Sequence, residues 1–284
     1  MGIREKIETV GWFLRRPGEY TEFPRFMWHR YRGPLKGWKT AHPWCRKRAV
    51  FPDEALQQLT GSTLPRLSPG TDADRSEQAV ETLTPRHEFP QLVFAIEELH
   101  PDIFAEAQQV IVGLPVDMGG PAILDVLYGL VRHSQPVRIV ETGIGNGWSA
   151  LSILLACQGR PEARLISTDM IADKACTPYV GSAVPQSLCE PWRQILHDDR
   201  TAIPQILAEW PRIDFCHYDS DKSYQGRMWA SRLLWQALRP GGFFVLDDIC
   251  DNFAYRDFCV EVRRTPLVVC HSKSGGKFAG VLVK

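Results

Sequence analysis

The sequence predicts an α/β protein: a mostly parallel sheet with helices on both faces, preceded by a mainly helical N-terminal region. Three observations carry that expectation. From about residue 100 onward, apolar runs of strand length alternate with amphipathic runs of helix length, the pattern of a parallel sheet covered by helices. One of those strands runs straight into a glycine-rich turn and then a helix. The last two apolar segments are separated by Ser274-Gly275-Gly276, a spacing that folds them into an antiparallel hairpin at the sheet edge.

The elements follow in order. Ile3 to Arg16 reads as a helix with Ile3, Ile7, Val10 and Leu14 on one face and Arg4, Lys6, Arg15 and Arg16 close by. Such a face packs on the main domain or on a second copy of the chain; contact with a membrane surface or with phosphates is the weaker reading. Gly61 to Arg75 reads as a linker. The expected division is therefore an accessory region over residues 1–95 and the sheet domain over 96–284. Within the latter, strands are expected at Val137–Glu141, Arg164–Thr168, Gln194–His197, Asp214–Tyr218, Phe243–Leu246, Leu267–Cys270 and Phe278–Val283. Helices are expected at Gly147–Cys157, Ala202–Trp210, Tyr224–Leu238 and Phe253–Arg263. Between the second and third strands lies a long connection with Pro178, Pro185 and Pro191, and connections of that kind often shape a substrate pocket.

Bulk properties narrow the function classes. Lys plus Arg total 33 and Asp plus Glu total 33, so whole-chain charge favours no polyanionic or polycationic partner. The first 50 residues nevertheless hold 12 Lys or Arg against 4 Asp or Glu. The eight cysteines are scattered without a C-x-x-C pair and lie mostly in apolar runs, the usage of buried free thiols in a reducing cytoplasm. No apolar stretch approaches the ~20 residues that cross a bilayer. A cytoplasmic protein is expected.

The segment Glu141-Thr142-Gly143-Ile144-Gly145-Asn146-Gly147-Trp148-Ser149 joins the first strand to the next helix. Glycines there let a ligand approach the backbone, although a tight strand-to-helix turn also needs them for its own geometry. Asp169 ends the next strand, where a carboxylate can accept from both hydroxyls of a ribose. Asp198 and Asp199 end the third, beside the place an adenine would then occupy. A nicotinamide dinucleotide would want G-x-G-x-x-G, whereas this turn is G-x-G-x-G followed by Trp148. Glu141 also suits a sulfonium cation better than a phosphate.

The turn resembles motif I of class I S-adenosylmethionine-dependent methyltransferases, whose catechol-type branch reads E-x-G-x-x-x-G-x-S, here Glu141, Gly143, Gly147 and Ser149. The resemblance covers roughly residues 115–284 and implies a Rossmann-like seven-stranded methyltransferase sheet with an antiparallel last strand. It implies that Ser149 and the turn's backbone, Gly145 included, hold the methionine part of S-adenosylmethionine, Asp169 the ribose, and Asp198 or Asp199 the adenine side.

The fourth strand runs into Tyr218-Asp219-Ser220-Asp221-Lys222 and the fifth into Leu246-Asp247-Asp248. Carboxylates at neighbouring strand ends repel one another unless a cation neutralises them, and a hard divalent ion with oxygen ligands does so most simply. The competing reading is a helix cap at Asp247 or Asp248 and an Asp219–Lys222 ion pair. The spacing resembles metal-dependent O-methyltransferases of the catechol, caffeoyl-coenzyme A and macrolide-sugar types. That resemblance implies Asp219, Asp247 and Asp248 as ligands, Mg²⁺ as the cation, and Lys222 as the base; sugar-directed members usually carry His there. A divalent ion and a sulfonium nearby both disfavour an ammonium, which would lower the Lys222 pKa. His217 reads as a packed core histidine. Tyr179, Trp192 and Trp148 read as packing before they read as an acceptor pocket.

The function expected is transfer of a methyl group to a hydroxyl of a small molecule, a sugar or natural product, by a chain that works alone or as a homodimer. Two alternatives stand beside it. One is an RNA methyltransferase using the basic N-terminal segment and its Trp12, Trp28, Trp38 and Trp44, against which stands the lack of a D-P-P-Y or N-P-P-Y tetrad. The other is a binding protein that keeps the fold without turnover.

Overall fold

The computed structural model describes residues 41–61, 95–170, 174–270 and 277–284. The helix expected over Ile3 to Arg16, the linker beyond Gly61, the first three tryptophans and the Ser274-Gly275-Gly276 turn lie outside the described residues. In chain order the elements are α1 His42–Arg48, β1 Ala49–Val50, α2 Pro52–Thr60, α3 Ala95–Leu99, α4 Pro101–Val112, α5 Leu124–Ser134, β2 Arg138–Thr142, α6 Trp148–Cys157 and β3 Arg164–Thr168. After two 3-10 turns, Lys174–Tyr179 and Gln186–Leu188, come β4 Trp192–Ile195, α7 Asp199–Glu209, β5 Ile213–Tyr218, α8 Tyr224–Ala237, β6 Leu238–Leu246, α9 Ala254–Glu261, β7 Leu267–Cys270 and β8 Phe278–Val283.

The strands form one sheet in the order β1-β7-β8-β6-β5-β2-β3-β4. Every pairing is parallel except those of β8 with β6 and β7. All seven expected strands are present, and the hairpin closes antiparallel. An eighth, β1, adds two residues from the N-terminal side beside β7, Ala49 opposite Val268 and Val50 opposite Val269. β4 begins two residues earlier than expected, so Asp198 falls three residues beyond its end and caps α7.

The central strands are apolar on both faces because both faces are covered. The pleat sends Ile139, Leu165, Phe215 and Val245 to one core, under α2, α4, α5 and α6. Their neighbours Val140, Ile166, Cys216 and Phe244 go to the other, under α1, α7, α8 and α9. α6 is buried almost all round, as a helix apolar on every side must be. All eight cysteines are free, and six are buried. Among the described residues no helix is long and apolar enough to cross a membrane.

Two features tie the N-terminal elements to this sheet. Trp44 stacks edge-on with Tyr255 of α9 at 6.3 Å, and the Tyr255 hydroxyl donates to Leu267 O at 2.8 Å. On the opposite face, Leu56 of α2 seats against Gly129 of α5 so closely that a Cβ there would lie 2.6 Å from its methyl group. Leu56 is 2% exposed. Truncating it leaves a cavity where α2 meets α5, so Leu56→Ala should lower stability by about 2–5 kcal/mol in urea denaturation. A loss below about 1 kcal/mol would mean that α2 does not pack on the sheet domain in solution.

Candidate active site

The strand order reverses between β2 and β5: β3 and β4 continue on one side, β6 on the other. Ligands of such sheets bind outside the carboxyl ends at that point. The glycine-rich turn, Asp169, Asp199, Asp219, Asp247 and Asp248 all gather along this edge.

The turn is shaped by the chain's own backbone before any ligand. Gly143 has φ 85°, and a Cβ there would stand 2.5 Å from Asp219 O. Gly147 has φ 91°, and a Cβ there would stand 2.8 Å from Gly181 Cα. Both positions therefore exclude a side chain for conformation and for space. The β3–β4 connection clamps the turn by Gly181 N to Gly145 O at 3.0 Å and Ala183 N to Asn146 O at 2.8 Å. The Asn146 amide donates to Gly119 O at 2.6 Å. Gly147 is buried, while Gly143, Gly145 and Ser149 remain partly open at the cleft.

Asp169 follows β3 and accepts from Gly145 N at 2.7 Å. Burial and the nearby Glu141 charge raise its pKa, against backbone hydrogen bonds from Gly145 and Ile144 that lower it, and the net is upward. The aspartate pair expected beside an adenine is split by the fold. Asp198 is the α7 N-cap, its side chain accepting from Thr201 N. Asp199 accepts from Tyr218 OH at 2.9 Å and Ser220 Oγ at 2.6 Å. Burial raises the Asp199 pKa in spite of those donors.

Glu141 sits elsewhere than the motif suggests. It shares the pleat face of Ile139, so its side chain points into the core and is wholly buried. One oxygen accepts from Ser167 Oγ at 2.6 Å and the other faces His217 Nδ1 at 3.3 Å. Trp192 Nε1 in turn donates to Ser167 Oγ at 2.8 Å. Glu141 thus joins β2, β3, β4 and β5 from beneath. His217 is a core histidine as expected, with a carboxylate partner the sequence did not reveal. Burial lowers its pKa, but the Glu141 hydrogen bond and charge outweigh that and raise it. Trp148 stacks on Phe104 at 6.0 Å and Trp192 lies over Gly181, so both serve packing.

At the ends of β5 and β6, Asp219, Asp247 and Asp248 bring carboxylate oxygens within 4.8 Å of one another. Asp247 is 3% exposed. Asp248 adopts φ 50°, a conformation that costs a non-glycine residue about 1–3 kcal/mol and recurs at functional sites. Lys222 pairs closely with Asp219 and lies 3.3 Å from Asp248, which Lys277 also approaches at 3.5 Å. Burial pulls the Lys222 pKa down, but Asp219 and Asp248 hold it above the usual lysine value. The lowering expected beside a metal and a sulfonium is thus not a property of the protein's own residues, which pair Lys222 as an ammonium. Burial, with Asp247 and Asp248 adding to it and Lys222 opposing, pushes Asp219 up to about 6. Three further residues serve this site that motif reading did not single out. Thr142 accepts from Asp219 N at 3.2 Å, Asn252 donates to Lys222 O at 2.8 Å, and Arg227 lies beneath the β6 end.

Comparison with known proteins agrees with this architecture. Residues 140–249 match the family model described as a methyltransferase domain. No curated protein matches the chain in sequence. Among solved structures, the chain is similar to the O-methyltransferase from Bacillus cereus in complex with SAH, at 18% identity and a TM-score of 0.52 over 66% of this chain and 95% of the other. It is similar to the same degree to the O-methyltransferase TomG from Streptomyces achromogenes, involved in tomaymycin synthesis and in complex with SAM, at 18% identity, a TM-score of 0.52, and 66% and 94% coverage. The chain shares the fold of these structures, as its strand, glycine-rich turn and helix predict.

The buried Glu141 network gives a direct test. Removing its carboxylate leaves Ser167 and His217 without their shared acceptor, and breaking a buried pair from one side costs roughly 3–5 kcal/mol. Glu141→Ala should show that loss in urea denaturation, with Glu141→Gln intermediate. A Glu141→Ala protein as stable as the parent would mean that the carboxylate does not join the strands.

Proposed function

We propose that this protein is an S-adenosylmethionine-dependent O-methyltransferase acting on a hydroxyl of a small molecule, a sugar or natural product, with a divalent cation, Mg²⁺, at Asp219, Asp247 and Asp248. The convergence of those three carboxylates beside the glycine turn carries the reading. An all-oxygen, triply anionic donor set fits a hard divalent ion. On the cofactor side, Asp169 stands beside Gly145 at the strand end, where it would take the ribose hydroxyls, with Asp199 on the adenine side. Ser149 and the open backbone of Gly143 and Gly145 would take the methionine part. Residues 1–95 are proposed to border the acceptor side or a homodimer interface.

S-adenosylmethionine, held by Asp169, Ser149 and the backbone of Gly143 and Gly145, would supply an electrophilic methyl group for the acceptor oxygen. A divalent cation held by Asp219, Asp247 and Asp248 would supply positive charge beside the acceptor oxygen. Lys222, which borders the carboxylates, would take that oxygen's proton. Its ammonium is favoured while Asp219 and Asp248 are free to pair with it; once their charge is taken up, it loses that stabilisation and the neutral amine can accept the proton. The clamp from Gly119, Gly181 and Ala183 fixes the turn, so the chain's contribution to the methyl step is alignment and exclusion of water.

Transfer of labelled methyl groups to a panel of small hydroxylated acceptors tests the proposal. EDTA should abolish transfer and added Mg²⁺ restore it, and Lys222→Met should slow it by ~10²–10⁴-fold. Because Asp219 is pushed up to about 6, protons compete with the cation below that pH, so the Mg²⁺ needed for half-restoration should rise as pH falls past it. Full activity in excess EDTA would remove the cation from the mechanism, and a fast Lys222→Met enzyme would return that lysine to an ion-pair role.

A further inference from the structure

A buried cation that the chemistry above does not use lies directly beneath the acidic strand end. Arg227, in the first turns of α8, is 1% exposed and is the largest fully buried side chain among the described residues. Its Nη1 donates to Asp247 O at 2.8 Å and its Nη2 to Asp248 O at 3.1 Å. Nη2 also lies 3.6 Å from the Asp251 carboxylate, and Nε has no hydrogen-bond partner. Burying a guanidinium is costly, and its planar fork suits two successive carbonyls in a way that a lysine ammonium does not.

Those carbonyls belong to two of the three residues whose carboxylates converge. Their peptide is held from below while Asp248 is kept at φ 50° and its N–H donates to Asp247 Oδ1 at 2.8 Å. With both carbonyls drawn down to Arg227, the carboxylates are left on the Asp219 side. We infer that Arg227 is a positioning residue, setting the backbone of Asp247 and Asp248 so that their carboxylates meet Asp219 around a divalent cation; this rests on the proposed cation site.

The sign of the effect separates positioning from mere charge. A guanidinium below the triad repels a divalent ion, so if charge were its only influence, removing it would tighten cation binding. A positioning role predicts the opposite. Mn²⁺ alone, titrated calorimetrically into the full-length chain without cofactor or acceptor, reads this directly. Both Arg227→Met, which removes fork and charge, and Arg227→Lys, which keeps the charge, should bind Mn²⁺ at least tenfold more weakly while melting cooperatively by circular dichroism. Should Arg227→Met fail to fold, Arg227→Lys decides. Unchanged or tighter binding in a folded variant overturns the positioning role and leaves the cation site standing; a parent protein that does not bind Mn²⁺ overturns both.

Discussion

Mutual repulsion among carboxylates at the ends of β5 and β6 is the constraint to which the polar structure of this protein answers. Asp219, Asp247 and Asp248 stand within 4.8 Å of one another, and Asp251 lies behind them. Lys222, Lys277 and Arg227 each approach this group from a different direction. Burial, with the charges of Asp247 and Asp248 adding to it and Lys222 opposing, makes Asp219 hold its proton more tightly than an ordinary aspartate. The strained Asp248 backbone, the Asn252 bond to Lys222 O and the buried Arg227 fork are the structural means by which the chain keeps these charges together. A binding protein without turnover would have little reason to sustain them.

The glycine turn depends on the same edge. Gly143 packs against the backbone of Asp219, so the first residue of the glycine turn and the first residue of the acidic cluster are in contact. Ser220 bridges the two sides again, donating to Asp199 while standing 2.9 Å from the Thr142 hydroxyl. The glycine turn and the acidic cluster are therefore joined by one continuous set of contacts. Glu141 and His217 underlie it from the core, joining the central strands that present both halves.

Much of this was legible in the sequence, for identifiable physical reasons. β2, β3, β5 and β6 are covered on both faces, so each holds consecutive apolar residues, such as Ile139-Val140 and Phe243 to Leu246, and is followed by glycine or aspartate. β4 is an edge strand with no such run, which is why its start was displaced and why Asp198 was expected at a strand end when it caps α7. β1 is two residues long and carries no pattern at all. Glu141 lay within a correct motif, but its role turned on pleat parity: it shares the face of Ile139 and is sent into the core. Arg227 was invisible because nothing in an amphipathic helix distinguishes an arginine bound for two backbone carbonyls from one bound for water. Lys222 was placed correctly in space, but only the structure shows that it pairs with Asp219 and Asp248.

The central claim is that one cleft, at the reversal between β2 and β5, holds S-adenosylmethionine and a divalent cation side by side. A crystal structure of the full chain grown with S-adenosylhomocysteine and Mn²⁺ tests it most directly. The account predicts an anomalous manganese peak among the carboxylates of Asp219, Asp247 and Asp248, with Lys222 displaced from Asp219 and the ribose hydroxyls on Asp169. Nucleoside density away from the glycine turn, or no manganese at the triad with Lys222 still seated on Asp219, would contradict it.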